Sequence, residues 1–136
     1  MTSLPDAARL AIATDGDIVL ARQTGRDIAC RMGCSPADAT LIATAISEVA
    51  RNIVSYAGSG EVHIEAVARN GRHAIEVTAR DDGPGIANVD LAMEDGWSSG
   101  PGLGLGLPGA RRLMDEFEIR SRAGAGTCVV MRKWCT

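Results

Sequence analysis

Lysine is almost missing from this sequence. Thirteen of its 14 basic residues are arginine, and the single lysine is Lys133, close to the end of the 136 residues. A Walker-A lysine, or the strand lysine of eukaryotic-type protein kinases, therefore has no candidate. Aromatics are nearly as scarce. Tyr56, Trp97, Phe117 and Trp134 are the whole set, too few for a base-stacking platform. An excess of positive charge is lacking as well, since 14 basic residues face 17 acidic ones for a net charge of −3. Proteins that live on phosphate-backbone contacts are usually basic, which argues against nucleic acid as the main partner. No apolar run approaches the roughly 18 residues that a membrane helix needs. The opening MTSLPDAARL has neither the basic nor the apolar region of a signal peptide. A cytoplasmic protein with no membrane partner is expected. Cysteine occurs four times, at 30, 34, 128 and 135. A C-x3-C pair with only His63 and His73 elsewhere does not match a zinc spacing. In a cytosolic setting, all four are expected to be reduced structural thiols.

What is present is the composition of one globular domain spanning 1–136, with 46% apolar and 23% charged residues. Residues 8–13 read as a short strand before a turn at Asp15-Gly16. Asp17 then caps a helix that runs to about Met32 and is closed by Gly33. Ser35 and Pro36 supply an N-cap and a proline at the first helical position. Apolar pairs follow every four residues (Leu41/Ile42, Ala45/Ile46, Val49/Ala50, Ile53/Val54), predicting a long amphipathic helix ending near 56–58.

Beyond that helix the period changes to two. Val62, Ile64, Ala66 and Ala68 alternate with polar neighbours, and Ile75, Val77 and Ala79 do the same after Asn70-Gly71. An Asn-Gly turn between two alternating runs is a strong hairpin signal. A last helix is expected over 107–116, then strands over 117–122 and 127–134 joined at Gly124-Ala125-Gly126. The architecture predicted is a two-layer α/β sandwich, with a mostly antiparallel sheet covered by helices.

Glycine is concentrated where the periodicity lapses: eight of the 16 fall within the 27 residues from 83 to 109. A long glycine-rich loop that leads into a helix suits an anion site, because backbone N–H groups can approach a ligand there. Gly104-Leu105-Gly106-Leu107-Pro108-Gly109 satisfies G-x-G-x-x-G, but a dinucleotide fold needs a buried strand before it and an acidic residue about 20 positions later. Neither is present, and a surface loop without a ligand fits equally well.

Three further segments each have a functional and an ordinary explanation. Glu48 and Asn52, four residues apart, share one flank of the long helix at the border of its apolar stripe. A carboxylate and an amide there suit proton abstraction from a hydroxyl and a hydrated Mg²⁺. The alternative is that Glu48 pairs with Arg51 on a solvated face. In Asp81-Asp82-Gly83-Pro84-Gly85, alternation turns Asp81 inward with Val77 and Ala79, and Asp82 toward solvent. An inward carboxylate needs donors, which an adenine amino group supplies. An ordinary strand-to-turn exit has the same composition. Thr127 shares a face with Val129 and Met131, either as core filler or as a second adenine contact.

Taken in order, E-x-x-x-N on a helix, D-x-G-x-G after a strand, a glycine-rich lid and G-x-G-T resemble the GHKL family of ATPases and kinases. The resemblance spans about 48–127. SEVARNIVSYAGSGEV and MEDGWSSGPGLGLGLPGARRLMDEF are closest to its anti-sigma and partner-switching group, in particular the serine-protein kinases of the bacterial stressosome. The likeness implies ATP and Mg²⁺ as cofactors, Glu48 as general base, Asn52 as Mg²⁺ ligand and Asp81 as adenine anchor. It implies further that Gly83, Gly85, Gly102, Leu103, Gly104, Leu105 and Gly106 shape the pocket and phosphate lid, with Thr127 supporting adenine. Many anti-sigma relatives carry a basic lid residue, whereas none lies here between Arg80 and Arg111. The function implied is phosphorylation of serine or threonine on STAS-domain scaffold or antagonist proteins, with activation of a PP2C-type phosphatase on release. An anti-sigma factor that sequesters a sigma subunit, or a nucleotide-dependent binding module without catalysis, are the alternatives.

Overall fold

The computed structural model of the chain describes residues 7–85 and 106–135. Strand β1 (Ala7–Ile12) leads into helix α1 (Asp15–Arg31), and a short turn connects it to α2 (Pro36–Tyr56). Strands β2 (Gly60–Arg69) and β3 (Arg72–Asp81) form a hairpin; α3 (Gly106–Leu113) precedes β4 (Glu116–Ser121) and β5 (Thr127–Trp134). The five strands form one sheet in the order β1-β2-β3-β5-β4, and every pairing among them is antiparallel. Helices cover one face, giving the two-layer α/β arrangement that the change of period predicts.

The elements follow from local chemistry. Ser35 Oγ accepts the Asp38 N–H at 3.0 Å, with Pro36 in the first helical turn, as expected. At α1 the details differ. Thr14, not Asp17, is the N-cap, and Asp15-Gly16 lie inside the first turn rather than in a separate turn. Thr14 Oγ1 accepts the Asp17 N–H at 3.2 Å, while Asp17 Oδ2 accepts the N–H groups of Thr14 at 3.0 Å and Ala13 at 2.9 Å. Two reciprocal bonds satisfy more orphan donors than a lone aspartate cap, so the helix starts at the threonine. These bonds, from Ala13 and then Thr14, hold the Asp17 carboxyl below its ordinary pKa.

The hairpin turn has Asn70 at φ 56° and Gly71 at φ 79°, as an Asn-Gly two-residue turn requires. Helix α3 stops at Leu113, three residues earlier than its sequence pattern suggests. Lys133 Nζ donates to the Leu113 carbonyl at 3.0 Å, and the Asp115 N–H already joins the sheet at Arg132 O, 2.9 Å. A lysine on a terminal carbonyl satisfies an orphan acceptor and suits the negative end of the helix dipole.

The core lies between the layers. Ile42, Ile46, Val49 and Ile53 of α2 meet Val62, Ile64, Ile75, Val77 and Met131 of the sheet, all within 1% of complete burial. On the opposite, open face Arg132 bonds Glu76 (2.6 Å) and Glu116 (2.8 Å), and Trp134 Nε1 donates to Glu116 at 2.6 Å. The Trp134 bond, backed by Arg132, lowers the Glu116 pKa.

The cysteines overturn one expectation. Cys34, in the α1–α2 turn, and Cys135, just after β5, form a disulfide with Cα atoms 4.8 Å apart. Only Cys30 and Cys128 remain free. The expectation of four thiols rested on compartment alone, and it could not register that residues 101 apart in sequence meet in space. The bridge sits at the hairpin end of the sheet, where the Cys135 N–H bonds His73 O at 2.9 Å.

Candidate functional site

Among the described residues, five polar or charged side chains are buried: Ser47, Glu48, Asn52, Asp81 and Thr127. Ser47 is accounted for by its bond to the Ala43 carbonyl at 3.0 Å, a local helical contact. The other four are the residues singled out from sequence. Buried polar groups are costly without partners, so the partners of these four define the site.

Glu48 and Asn52 occupy the flank of α2 that faces α3, and they are 9% and 7% exposed. Glu48 Oε1 accepts the N–H of Gly106, the first residue of α3, at 3.2 Å. The Glu48–Arg51 surface pair considered above does not form. A carboxylate at a helix N-terminus is stabilised by the helix dipole and by an otherwise orphaned N–H. Glu48 therefore fixes the start of α3 against α2.

Asp81 and Thr127 sit at one end of the sheet, where β3 and β5 pair them as direct Cα partners. Asp82 is exposed, as the alternation predicts. Asp81 Oδ1 accepts the Gly83 N–H at 2.9 Å, which folds the strand exit back toward the carboxylate. Ile53 of α2, next to Asn52, approaches Gly60, and Gly60 is the β2 partner of Asp81. The end of α2 thus lies over the end of β3.

The D-x-G-x-G exit packs on the β4–β5 loop. Gly124 N–H donates to the Pro84 carbonyl at 2.6 Å. A β-carbon on Gly85 (φ +74°) would overlap the Arg122 carbonyl, and one on Gly126 (φ +80°) the Asp81 carbonyl. Both glycines are required by backbone-to-backbone approach as well as by positive φ. Their structural role is therefore independent of any ligand.

A cleft of about 610 Å³ opens at this end, with Asp81, Ser121, Gly126 and Thr127 in its wall. A second, of about 460 Å³, lies between Ile12, Ala57, Gly60 and Asp81. Asp81 borders both, and Glu48 and Asn52 line neither. Ser121 was missed from sequence. Its Oγ lies 2.8 Å from Thr127 Oγ1 and 2.9 Å from the Gly126 carbonyl. Alternation from Phe117 and Ile119 puts it on the inward face, which was the available signal. Gly102, Leu103, Gly104 and Leu105 lie outside the described residues.

The donor set fits ATP and Mg²⁺. A buried carboxylate beside a hydroxyl matches an amino-bearing base, and an amide oxygen is a hard donor for a cation that keeps most of its other ligands as water and phosphate. No group of three or more His, Cys, Asp or Glu able to hold a metal occurs among the described residues. No helix among the described residues is long and apolar enough to cross a membrane.

The chain matches the family described as "Histidine kinase-like ATPase domain" over residues 12–133. It is 50% identical over 129 residues to the serine/threonine-protein kinase RsbT of Bacillus subtilis (strain 168), covering 95% of this chain and 97% of that one. To an anti-sigma F factor of Geobacillus sp. (strain WCH70) it is 31% identical over 104 residues, 71% of this chain and 70% of that one. Among solved structures, the RsbU and RsbW domains of a Mycobacterium tuberculosis protein align at TM-score 0.60 and 24% identity, over 93% of this chain and 32% of that one. That likeness concerns the fold, which here places Glu48 and Asn52 on a helix above a sheet ending in Asp81 and Thr127. With the family match covering nearly the whole chain, this protein belongs to the histidine kinase-like ATPase family.

Proposed function

We propose that residues 1–136 act as a single GHKL kinase domain, a cytoplasmic ATP-dependent protein serine/threonine kinase of a partner-switching module. Its substrates are STAS-domain proteins, and after release from them it activates a PP2C-type phosphatase. The observation that carries the reading is the burial of Glu48, Asn52, Asp81 and Thr127 together, in a chain half identical to a serine/threonine-protein kinase along nearly its whole length.

Each residue then has a role. The Asp81 carboxylate accepts from the adenine amino group, supported by Thr127, while the Gly83 N–H holds its other side. Gly83 and Gly85 shape the pocket floor, and Gly102, Leu103, Gly104, Leu105 and Gly106 form the phosphate lid. Asn52 holds Mg²⁺, which when bound offsets phosphate charge. Glu48 takes the proton of the acceptor serine or threonine hydroxyl as its oxygen bonds the γ-phosphorus. The bond from that phosphorus to the departing ADP breaks in the same displacement.

The test is phosphate transfer from ATP to STAS-domain proteins recovered by pull-down from the native cell. Incorporation above background supports the kinase. Background incorporation with several such partners favours a binding module. The likeness to anti-sigma F factors supports a second reading, an anti-sigma factor kinase, which a sigma subunit in the same pull-down would identify.

A further inference from the structure

Arg51 stands between Glu48 and Asn52 in sequence and is half-buried on α2. Its Nε is buried and has no hydrogen-bond partner, and among the described residues no carboxylate pairs with its guanidinium. The natural partner, Glu48, three residues back and so a neighbour on the helix surface, is turned to the Gly106 N–H instead. A partly buried cation with an unmet donor is costly, and such groups in native proteins call for an explanation.

Charge at the site supplies one. Glu48 puts a buried carboxylate beside the place proposed for the γ-phosphate, and no basic residue occurs between Arg80 and Arg111. Arg80 is exposed on the opposite sheet face from Asp81, Arg111 is exposed near the far end of α3, and Lys133 caps Leu113. The cation adjoining both Glu48 and Asn52 is Arg51. Guanidinium is the side chain whose planar fork matches phosphate oxygens, and it stays charged at any working pH.

We propose that Arg51 contacts the terminal phosphate of the bound nucleotide, taking the place of a basic lid residue and selecting triphosphate over diphosphate. The assignment rests on the ATP reading of the site. Titration calorimetry of ATP and of ADP, each with Mg²⁺, into wild type, Arg51→Lys and Arg51→Gln tests it, with thermal melts as a check on folding. Charged hydrogen bonds of the usual strength make the expected loss of ATP affinity in Arg51→Gln roughly ten- to hundredfold. ADP affinity and melting stay near wild type, and Arg51→Lys falls between. Equal weakening of both nucleotides, or no weakening of either, overturns the assignment while leaving the ATP site standing. Loss of partner phosphorylation with both affinities intact also overturns it, in favour of a docking contact. Wild-type protein that binds neither nucleotide overturns the ATP reading itself, and this inference with it.

Discussion

Glu48 is asked to do two things, and substitution separates them. Its Oε1 lies 3.2 Å from the Gly106 nitrogen, so it holds the start of α3, and its carboxylate is the proposed base. Glu48→Gln keeps an acceptor oxygen and the volume but removes the charge. The stability lost is then the helix-dipole part, about 0.3–1 kcal/mol. Glu48→Ala also leaves the buried Gly106 N–H unpaired, which adds about 1–3 kcal/mol. In a chain of this length each kcal/mol moves the melting temperature by roughly 3–5 °C. Melting temperatures should fall in the order wild type, Gln, Ala, with the larger step at Ala. Phosphate transfer behaves differently. Loss of the base lowers it by about 10²–10⁴-fold already in Gln, while ATP binding by calorimetry persists. Labelled-phosphate transfer to a STAS-domain partner and melts on the same preparations give both readouts. If Glu48→Gln transfers at the wild-type rate, Glu48 is not the base. If Glu48→Ala melts with wild type, the Gly106 contact does not hold α3.

Three further outcomes follow from particular contacts. Asp81→Asn should weaken ATP and ADP alike by calorimetry, whereas Asp82→Asn, exposed on the other side of the strand, should change neither; equal losses would refute the assignment of faces. Asp17 has a folded pKa below its ordinary value of 3.8, so its contribution is complete above about that pH and is lost as pH falls through the lowered folded value. Melting of Asp17→Asn should therefore lie below wild type at neutral pH and converge with it as pH falls through the lowered folded value, and a constant gap would refute the linkage. Thiol titration of the oxidised protein should find two free cysteines, rising to four after reduction. Reduction should destabilise by at most ~4.7 kcal/mol for a loop of about 100 residues without loss of nucleotide affinity, since His73 and Asp81 are about 26 Å apart along β3.

The elements were legible wherever a period ran unbroken. α2 and the β2–β3 hairpin repeat their apolar positions for several turns or strand steps, and their bounds fall within about two residues of those expected. The candidate site residues stood out for the opposite reason. Asp81 and Thr127 put polar atoms at positions that the period assigns to the interior, Glu48 and Asn52 put them at the border of the apolar stripe, and each is buried.

What sequence could not supply is contact between distant segments. The Thr14–Asp17 box is local, and its Thr-x-x-Asp spacing was there to be seen. The Cys34–Cys135 pairing, the Lys133 cap on Leu113, the Ser121–Thr127 bond and the lack of a carboxylate partner for Arg51 among the described residues all depend on which segments become neighbours. Arg51 shows the limit most clearly. On a helical wheel it is an ordinary i, i+3 partner for Glu48, and a surface salt bridge is the natural reading. Only the arrival of α3, which gives Glu48 a backbone N–H 58 residues away, takes that partner from it. The same contact that fixes the proposed base therefore leaves a guanidinium that no carboxylate among the described residues pairs with. A buried carboxylate turned to a backbone amide and an arginine left unpaired next to it are two consequences of one packing event. Their separate responses to ATP and ADP are what would connect that packing to phosphate recognition.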